Sequence, residues 1–243
     1  MNLYREQGVV LRTWKLGEAD RIVVLLTQGE GKVRAVAKGV RKTKSRFGGR
    51  LEPFSHVDLS LYRGRELDIV TQAEVINPFR ALREDYDRVV AGTAMLEAVD
   101  QVAQERETAI RLYLLLVRAL RALDGDPRDP SVVLDAFLLK LMALEGYRPA
   151  VTECAGCGTT ARPPRWFSIV RGGGLCERCR TGQESTLDAA TMPLLAALLG
   201  DDLDTTGQRD PAPASRREAG ALVKGYVEYH LDRRLRAYPL VAR

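Results

Sequence analysis

The sequence has few of the features that mark membrane-spanning, secreted or nucleotide-hydrolysing proteins. No apolar run approaches the roughly 20 residues that a membrane-spanning helix requires, so a helical membrane protein is not predicted. The N-terminus, MNLYREQGVV, lacks a basic stretch followed by a long apolar block, and it therefore predicts no signal peptide. The phosphate-binding patterns GxGxxG and GxxxxGK followed by Ser or Thr are both absent. We expect a cytoplasmic chain, in which disulfides are rare.

Candidate catalytic residues are also scarce, because the chain contains only two histidines. His56 falls on the polar face of a predicted strand, and His230 falls in a predicted helix of alternating charge. Both are predicted to lie at the surface, and no serine and carboxylate in the sequence form a recognisable catalytic set with either of them. We therefore expect a binding protein and not an enzyme.

Positive charge is concentrated in the first third of the chain. Residues 1–80 contain fifteen Lys or Arg and nine Asp or Glu, a net charge of +6, whereas the remaining residues have a net charge of −1. The segment 37–50, AKGVRKTKSRFGGR, holds six basic residues and no acidic one. Charge that is localised in this way indicates a polyanionic partner.

The pattern predicts a multidomain α+β protein whose residues 1–79 form a small β-barrel. Five short segments rich in Val, Ile, Leu and Thr are separated by Gly, Asp, Pro or Arg-Gly breaks. Five strands in about seventy residues is the strand count of an OB-fold, although an SH3-like barrel or a five-stranded meander fits nearly as well. The predicted strands are 7–14, 20–28, 32–40, 55–63 and 66–76.

Beyond Pro78 the apolar residues recur at helical spacing. Residues 80–243 are therefore predicted to form an all-helical domain, into which a four-cysteine segment at 152–181 is inserted. The polar, Pro-rich stretch 201–214 is predicted to be a mobile surface loop between the last two helices.

The four cysteines form two CxxC pairs that are separated by eighteen residues. Two such pairs can bring four thiolates to the corners of a tetrahedron, which is the geometry that Zn²⁺ accepts. We predict one structural zinc ion per chain. A thioredoxin-like redox pair or an unmetallated remnant is the alternative, but a redox pair normally has a single CxxC near a βαβ pattern. Basic residues near the cysteines suggest a further hypothesis, in which this segment also contacts DNA. The predicted ligands are Cys154, Cys157, Cys176 and Cys179.

The basic residues around 37–50 are predicted to follow a phosphate backbone along the rim of the barrel. Alternate residues of a strand share a face, so Lys32 and Arg34 should point the same way as Lys38. Phe47 or Tyr62 could stack on a base, and Phe47 could equally anchor the loop to the barrel. The predicted nucleic-acid-binding residues are Lys32, Arg34, Lys38, Arg41, Lys42, Lys44 and Arg46.

The same segment has a simpler interpretation as a solvated loop. Six like charges repel one another, however, and make such a loop costly without a partner. Gly48 and Gly49 predict a flexible loop, as expected if it becomes ordered on a polyanion.

The stretch GEADRIVVLLTQGEGKVRAVAKGVRKTKSRFGGRLEPF resembles the RecO family of bacterial DNA repair and recombination mediators. The match is most specific at 17–20, 37–41 and 45–47, and the order of parts along the chain is also similar. The resemblance implies an OB-fold, a helical domain and, in members with four such cysteines, a zinc site. Residues that match the basic stretch of the family are Lys38, Arg41, Lys42, Lys44 and Arg46.

The resemblance also implies an activity and partners. Proteins of this family bind single- and double-stranded DNA and anneal complementary strands. With the partner RecR they help to load RecA onto DNA that is coated by single-strand-binding protein. A pocket for the tail of single-strand-binding protein lies in the helical part of the family, but no motif in this sequence marks it.

A zinc-ribbon RNA-binding or ribosome-associated factor is the main alternative function. A nuclease or a deaminase would need acidic clusters or a His/Glu–Cys signature, and the sequence has neither. Annealing of complementary DNA strands without ATP would favour the mediator, whereas a strong preference for structured RNA would favour the RNA-binding factor.

Overall fold

Five strands near the N-terminus close into a barrel in the computed structural model, which describes residues 2–184 and 186–238. Neighbouring strands are antiparallel except β3 and β5, which are parallel. Because β3 pairs with β5 instead of β4, the barrel has the crossed closure of an OB-fold and is not a meander. The strands are β1 (Leu3–Leu16), β2 (Asp20–Thr27), β3 (Gly31–Ala37), β4 (His56–Tyr62) and β5 (Asp68–Asn77).

Strand β2 is buried on both faces and joins the barrel to the rest of the protein. Val23 and Leu25 belong to the apolar interior of the barrel, whereas Val24 and Leu26 belong to the core that the barrel shares with the helices. A strand without a solvent face is a continuous apolar run, which is why residues 22–26 read IVVLL. The barrel therefore rests against the helical part along its outer wall.

The remaining elements are helices and one short hairpin, which confirms the predicted α+β class. Helix α4 contacts α2, α3, α5, α6 and α7, and most of its side chains are apolar and buried, as expected of a helix at the centre of a domain. In the described part of the chain, no helix is long and apolar enough to cross a membrane. The helices are α1 (Arg80–Glu84), α2 (Tyr86–Val102), α3 (Ile110–Asp124), α4 (Pro130–Leu144), α5 (Thr191–Gly200), α6 (Leu203–Gly207) and α7 (Pro213–Leu231), and the hairpin strands are β6 (Trp166–Ser168) and β7 (Gly173–Leu175).

The prediction of a surface loop at 201–214 is wrong, because this stretch contains α6. Asp202 caps the start of this helix by accepting a hydrogen bond from the backbone N–H of Thr205. Leu203 and Thr206 are buried, so the short helix contributes to the core. The polar and Pro-rich composition of this stretch led to the prediction of a loop and gave no indication of the helix.

The connection between α2 and α3 ties the helical part to strand β3. The backbone N–H of Lys32 donates to the carbonyl of Gln104 (3.2 Å), and the N–H of Arg106 donates to the carbonyl of Lys32 (3.0 Å). The Arg106 guanidinium also lies 2.8 Å from a carboxylate oxygen of Asp68, whose side chain is fully buried. Burial opposes ionisation of Asp68, but hydrogen bonds from Arg106 and Tyr4 outweigh it and hold the pKa of Asp68 below its ordinary value.

Replacing Arg106 with Ala should lower the free energy of unfolding by roughly 2–3 kcal/mol, because it leaves a buried carboxylate without its cation. The loss should shrink as the pH falls through the depressed pKa of Asp68, since protonation removes the charge that Arg106 stabilises. Chemical denaturation at pH 7 and at progressively lower pH measures both effects. Arg128→Ala is the matched control, because Arg128 and its partner Asp210 are mostly exposed. Equal stability of the two variants would contradict this interpretation of the junction.

Candidate nucleic-acid interface and metal centre

The basic segment lies between β3 and β4 and crosses one end of the barrel as a series of turns. The backbone N–H of Gly39 donates to the carboxylate of Asp20 (2.7 Å), and that of Arg41 donates to the carbonyl of Ala19 (3.0 Å). Farther along, the N–H of Phe54 donates to the carbonyl of Val10 (3.0 Å). Strands β1 and β2 thus hold the segment at both of its ends.

Three apolar side chains of the segment extend into the barrel. Val40, Phe47 and Leu51 are buried and belong to the same core as Val23 and Leu25. Of the two interpretations of Phe47, the structure supports the anchor, because a side chain that is 1% exposed offers no face to a base. Tyr62, the other candidate for stacking, is 45% exposed at the end of β4.

Five of the predicted contact residues are exposed on this anchored segment. No ion pair is formed by any of the five within residues 2–184 and 186–238, so their charges face solvent. The guanidinium of Arg41 donates to the carbonyls of Gly17 (3.3 Å) and Glu18 (2.9 Å), which fixes its position at the rim. These residues are Lys38, Arg41, Lys42, Lys44 and Arg46.

Lys32 and Arg34 lie elsewhere, on the wall of the barrel that faces the helical part. The ammonium group of Lys32 donates to the carbonyl of Asp100 (2.7 Å) and lies 3.5 Å from its carboxylate, and the Lys32 side chain is 15% exposed. Arg34 lies 3.6 Å from the carboxylate of Glu105. The two residues point the same way, as expected from their spacing, but Lys38 follows the end of β3 and does not continue that row. We leave Lys32 and Arg34 out of the proposed interface.

The prediction that both histidines lie at the surface is wrong. His56 is 4% exposed, and its Nε2 lies 2.7 Å from the hydroxyl oxygen of Tyr113. Burial, aided by the positive charge of Arg121, lowers the pKa of His56 to about 4. His230 is half-buried, and its ring stacks on that of Tyr147 at a centroid distance of 4.5 Å. Tyr113 of α3 covers His56, and Tyr147, which follows α4, covers one face of His230; strand and helix patterns do not reveal such contacts.

The four cysteines come together as predicted. Their sulfur atoms all lie within 4.8 Å of one another, and a metal ion bonded to four thiolates at 2.3 Å requires sulfur separations of about 3.8 Å. The hairpin of β6 and β7 positions the second pair, and Trp166 and Leu175 pack against the cluster. Gly156 is required between the first two ligands, because a Cβ there would lie 2.8 Å from the Cβ of Cys179. The donor set and its spacing fit a structural metal ion.

The thiols also have the electrostatics of a cation site. Burial opposes ionisation of Cys154, but N–H groups of Cys176 and Gly156 point at its sulfur and lower its pKa to about 6. Cys179 shows the opposite shift, to a pKa of about 12, because the neighbouring sulfur atoms of Cys157 and Cys176 stabilise its proton. Four crowded thiols therefore favour a cation that would replace their protons.

Comparison with known proteins agrees with the architecture. The sequence model described as "Recombination protein O N terminal" matches residues 1–79, and the one described as "Recombination protein O C terminal" matches residues 83–239. A relative named "DNA repair protein RecO" from Nocardioides sp. is 50% identical over 246 residues, covering 99% of this chain and 100% of its own length. Proteins of the same name from Frankia casuarinae and Streptomyces avermitilis are 49% and 47% identical, with full coverage of both chains. The chain belongs to the RecO family.

A second basic surface, which sequence patterns did not reveal, lies in the helical part of this RecO-family protein. A groove of about 520 Å³ between α3, α4 and the end of α5 has apolar walls, and its rim carries four basic residues together with Asp201 and Asp202. Leu114 and Leu144 are 41% and 39% exposed at this groove. Apolar and basic residues alternate along α3, and only the fold shows that they share one groove with α4. The basic residues of the rim are Arg111, Arg118, Lys140 and Arg148.

Replacing Phe47 with Ala should lower the free energy of unfolding of the barrel by about 3 kcal/mol, because it removes a fully buried aromatic side chain and leaves a cavity. Thermal or chemical denaturation, followed by tryptophan fluorescence, measures the change. Tyr62→Ala is the control, because it removes an aromatic ring that is largely exposed. Unchanged stability of Phe47→Ala, together with weaker nucleic-acid binding, would show that Phe47 stacks on a base and is not an anchor.

Proposed function

We propose that this protein is a DNA-binding recombination mediator in DNA repair, which binds single- and double-stranded DNA and anneals complementary strands. Membership of the RecO family supports the role in repair and recombination. The observation that carries the proposal is the anchored segment at the end of the barrel, where five exposed cations lie close together without acidic partners in the described residues.

The chemistry of the segment fits the phosphate backbone. Lys and Arg side chains on a rigid support neutralise phosphates and release counterions, so binding gains free energy without reading the sequence. Complementary strands repel each other through the same phosphates. A protein that neutralises them lowers the barrier to annealing, and it needs neither ATP nor a covalent step.

We further propose that the protein has no catalytic site of its own. Two observations support this. His56 is buried against Tyr113, and His230 is packed among aromatic rings, so neither imidazole is placed to exchange protons with a substrate.

The metal is proposed to be zinc, one ion per chain. Four cysteine thiolates form the donor set typical of structural Zn²⁺ sites, and a four-sulfur site leaves no open coordination position for a substrate. Cys154, Cys157, Cys176 and Cys179 would hold the ion. When bound, it would fix the segment at 152–181 to the helical core, which this segment touches through Phe167 and Ile169.

The partners RecR, RecA and single-strand-binding protein are proposed from the resemblance to the family, together with a cytoplasmic, nucleoid-associated location. The groove between α3 and α4 supports the proposal for one of these partners, single-strand-binding protein. Its apolar walls and the exposed arginines of its rim, Arg111, Arg118 and Arg148, would accept a peptide that carries both carboxylates and large apolar side chains. We therefore propose this groove as the binding site for the tail of single-strand-binding protein.

Purified protein should contain about one zinc ion per chain by elemental analysis, and Cys176→Ser should lose it together with much of the stability of residues 152–181. Glu177→Ala, at the adjacent exposed position, is the control and should retain the metal. Limited proteolysis before and after chelation would map the loosened region. A metal-free wild type with four reactive thiols and normal thermal stability would disprove the zinc site.

The triple variant Arg41→Ala, Lys42→Ala, Lys44→Ala should bind single-stranded DNA more weakly and anneal complementary strands more slowly. On a log–log plot of affinity against salt, its slope should be flatter than that of the wild type by roughly 2, since each lost phosphate contact removes about 0.7. The reduction should be similar for all sequences, because phosphates carry no sequence information.

The matched control for this experiment is Arg80→Ala, Arg128→Ala, Arg217→Ala, which removes the same charge from other exposed positions. Its salt dependence should equal that of the wild type. Identical slopes for the wild type and the 41/42/44 variant would show that the segment is only a solvated connection. A wild type that prefers structured RNA and does not anneal DNA would instead support the RNA-binding alternative.

A further inference from the structure

Three exposed arginines near the C-terminus of the described chain lie at the rim of a large groove. Arg233, Arg234 and Arg236 follow helix α7 and border a space of about 1160 Å³ between the barrel and helix α2. The barrel side of this groove includes Arg12, whose side chain is 59% exposed. The sequence pattern gave no sign of this surface.

The chain holds these arginines in a fixed place. Leu235, Ala237 and Tyr238 are buried, whereas Arg233, Arg234 and Arg236 are exposed. The carboxylate of Glu97 on α2 accepts hydrogen bonds from the backbone N–H groups of Arg236 (3.0 Å) and Ala237 (3.1 Å). The segment is therefore attached to the helical core on both sides of Arg236.

Basic side chains outnumber acidic ones in the groove, where Arg12 and the three C-terminal arginines face only Glu97 and Asp100 among the described lining residues. Among the residues that the structure describes, none forms an ion pair with Arg233, Arg234 or Arg236. The two acidic residues that line the groove already have partners. Glu97 accepts from backbone N–H groups, and Asp100 lies 2.9 Å from Arg12 and 3.5 Å from Lys32.

We propose that this groove is a second surface for the phosphate backbone of DNA, separate from the anchored segment at the end of the barrel. The inference rests on the proposed function, and it adds a site that lies between the two domains. Guanidinium groups suit this ligand because their planar fork of donors matches two oxygens of one phosphate. All three exposed cations on the C-terminal side of the groove are arginines.

The position of the groove on the barrel allows one long polyanion to reach both basic surfaces. Strand β1 forms part of the wall of the groove at Arg12 and then continues to the turn at Gly17. The carbonyl of Gly17 accepts a hydrogen bond from the guanidinium of Arg41. Five residues of strand span about 17 Å. The two basic surfaces thus lie along one strand of the barrel, at a separation that a single nucleic-acid strand can bridge.

The test compares Arg233→Ala, Arg234→Ala with the charge-preserving variant Arg233→Lys, Arg234→Lys. On oligo-dT, the alanine variant should flatten the log–log salt slope by about 1.4, and the lysine variant should keep most of the wild-type slope. Thermal stability should not change, because both side chains are exposed. Combination with the 41/42/44 variant should give the sum of the two reductions, since the two surfaces share no residue.

The outcomes separate this inference from the proposed function. An unchanged slope for the 233/234 alanine variant, while the 41/42/44 variant is flattened, would overturn the second surface and leave the proposed function intact. An unchanged slope together with loss of binding to an oligoglutamate peptide would also overturn it, because the groove would then serve an acidic protein. A wild type whose DNA binding does not depend on salt would overturn both.

Discussion

The insertion of three apolar side chains into the end of the barrel is the contact on which the candidate interface depends. Six like charges within fourteen residues repel one another and would favour an extended, solvated loop. Burial of Val40, Phe47 and Leu51 opposes this repulsion, with each side chain contributing roughly 1.5–3 kcal/mol on transfer from water. The cations are thereby held at the surface before a ligand arrives, so binding does not include the cost of ordering the loop.

The fold also divides the basic residues of the first third into two groups. Those on the wall of the barrel face α2 and the connection that follows it, where Asp100 and Glu105 neutralise Lys32 and Arg34. Those at positions 38–50 form no ion pair within the described residues. Because β2 is buried on both faces, the barrel is joined to the helices along this wall, whereas the end that carries residues 38–50 is exposed. Net charge alone does not distinguish structural from functional cations.

The features that the sequence predicted well are those encoded by local pattern. Strand number and the four-cysteine cluster follow from alternation, turn residues and CxxC spacing, and the structure confirms both. The features that the sequence did not predict depend on tertiary contacts. His56 sits on the expected face of its strand, but Tyr113 of α3 covers that face. The pairing of β3 with β5 and the exposure of Arg234 in a groove likewise depend on elements that are distant in the sequence.

Hydrogen exchange of the DNA-free protein tests most directly whether the basic segment is ordered before it binds. The backbone N–H groups of Gly39, Arg41 and Arg50 donate hydrogen bonds within or next to this segment, at 2.7, 3.0 and 3.1 Å. We predict that these amides exchange far more slowly than in an unfolded chain, with or without DNA, because the apolar anchors keep the bonds closed. Exchange at the rate of an unfolded chain until DNA is added would contradict a preformed surface, and it would show that the ligand itself orders the segment.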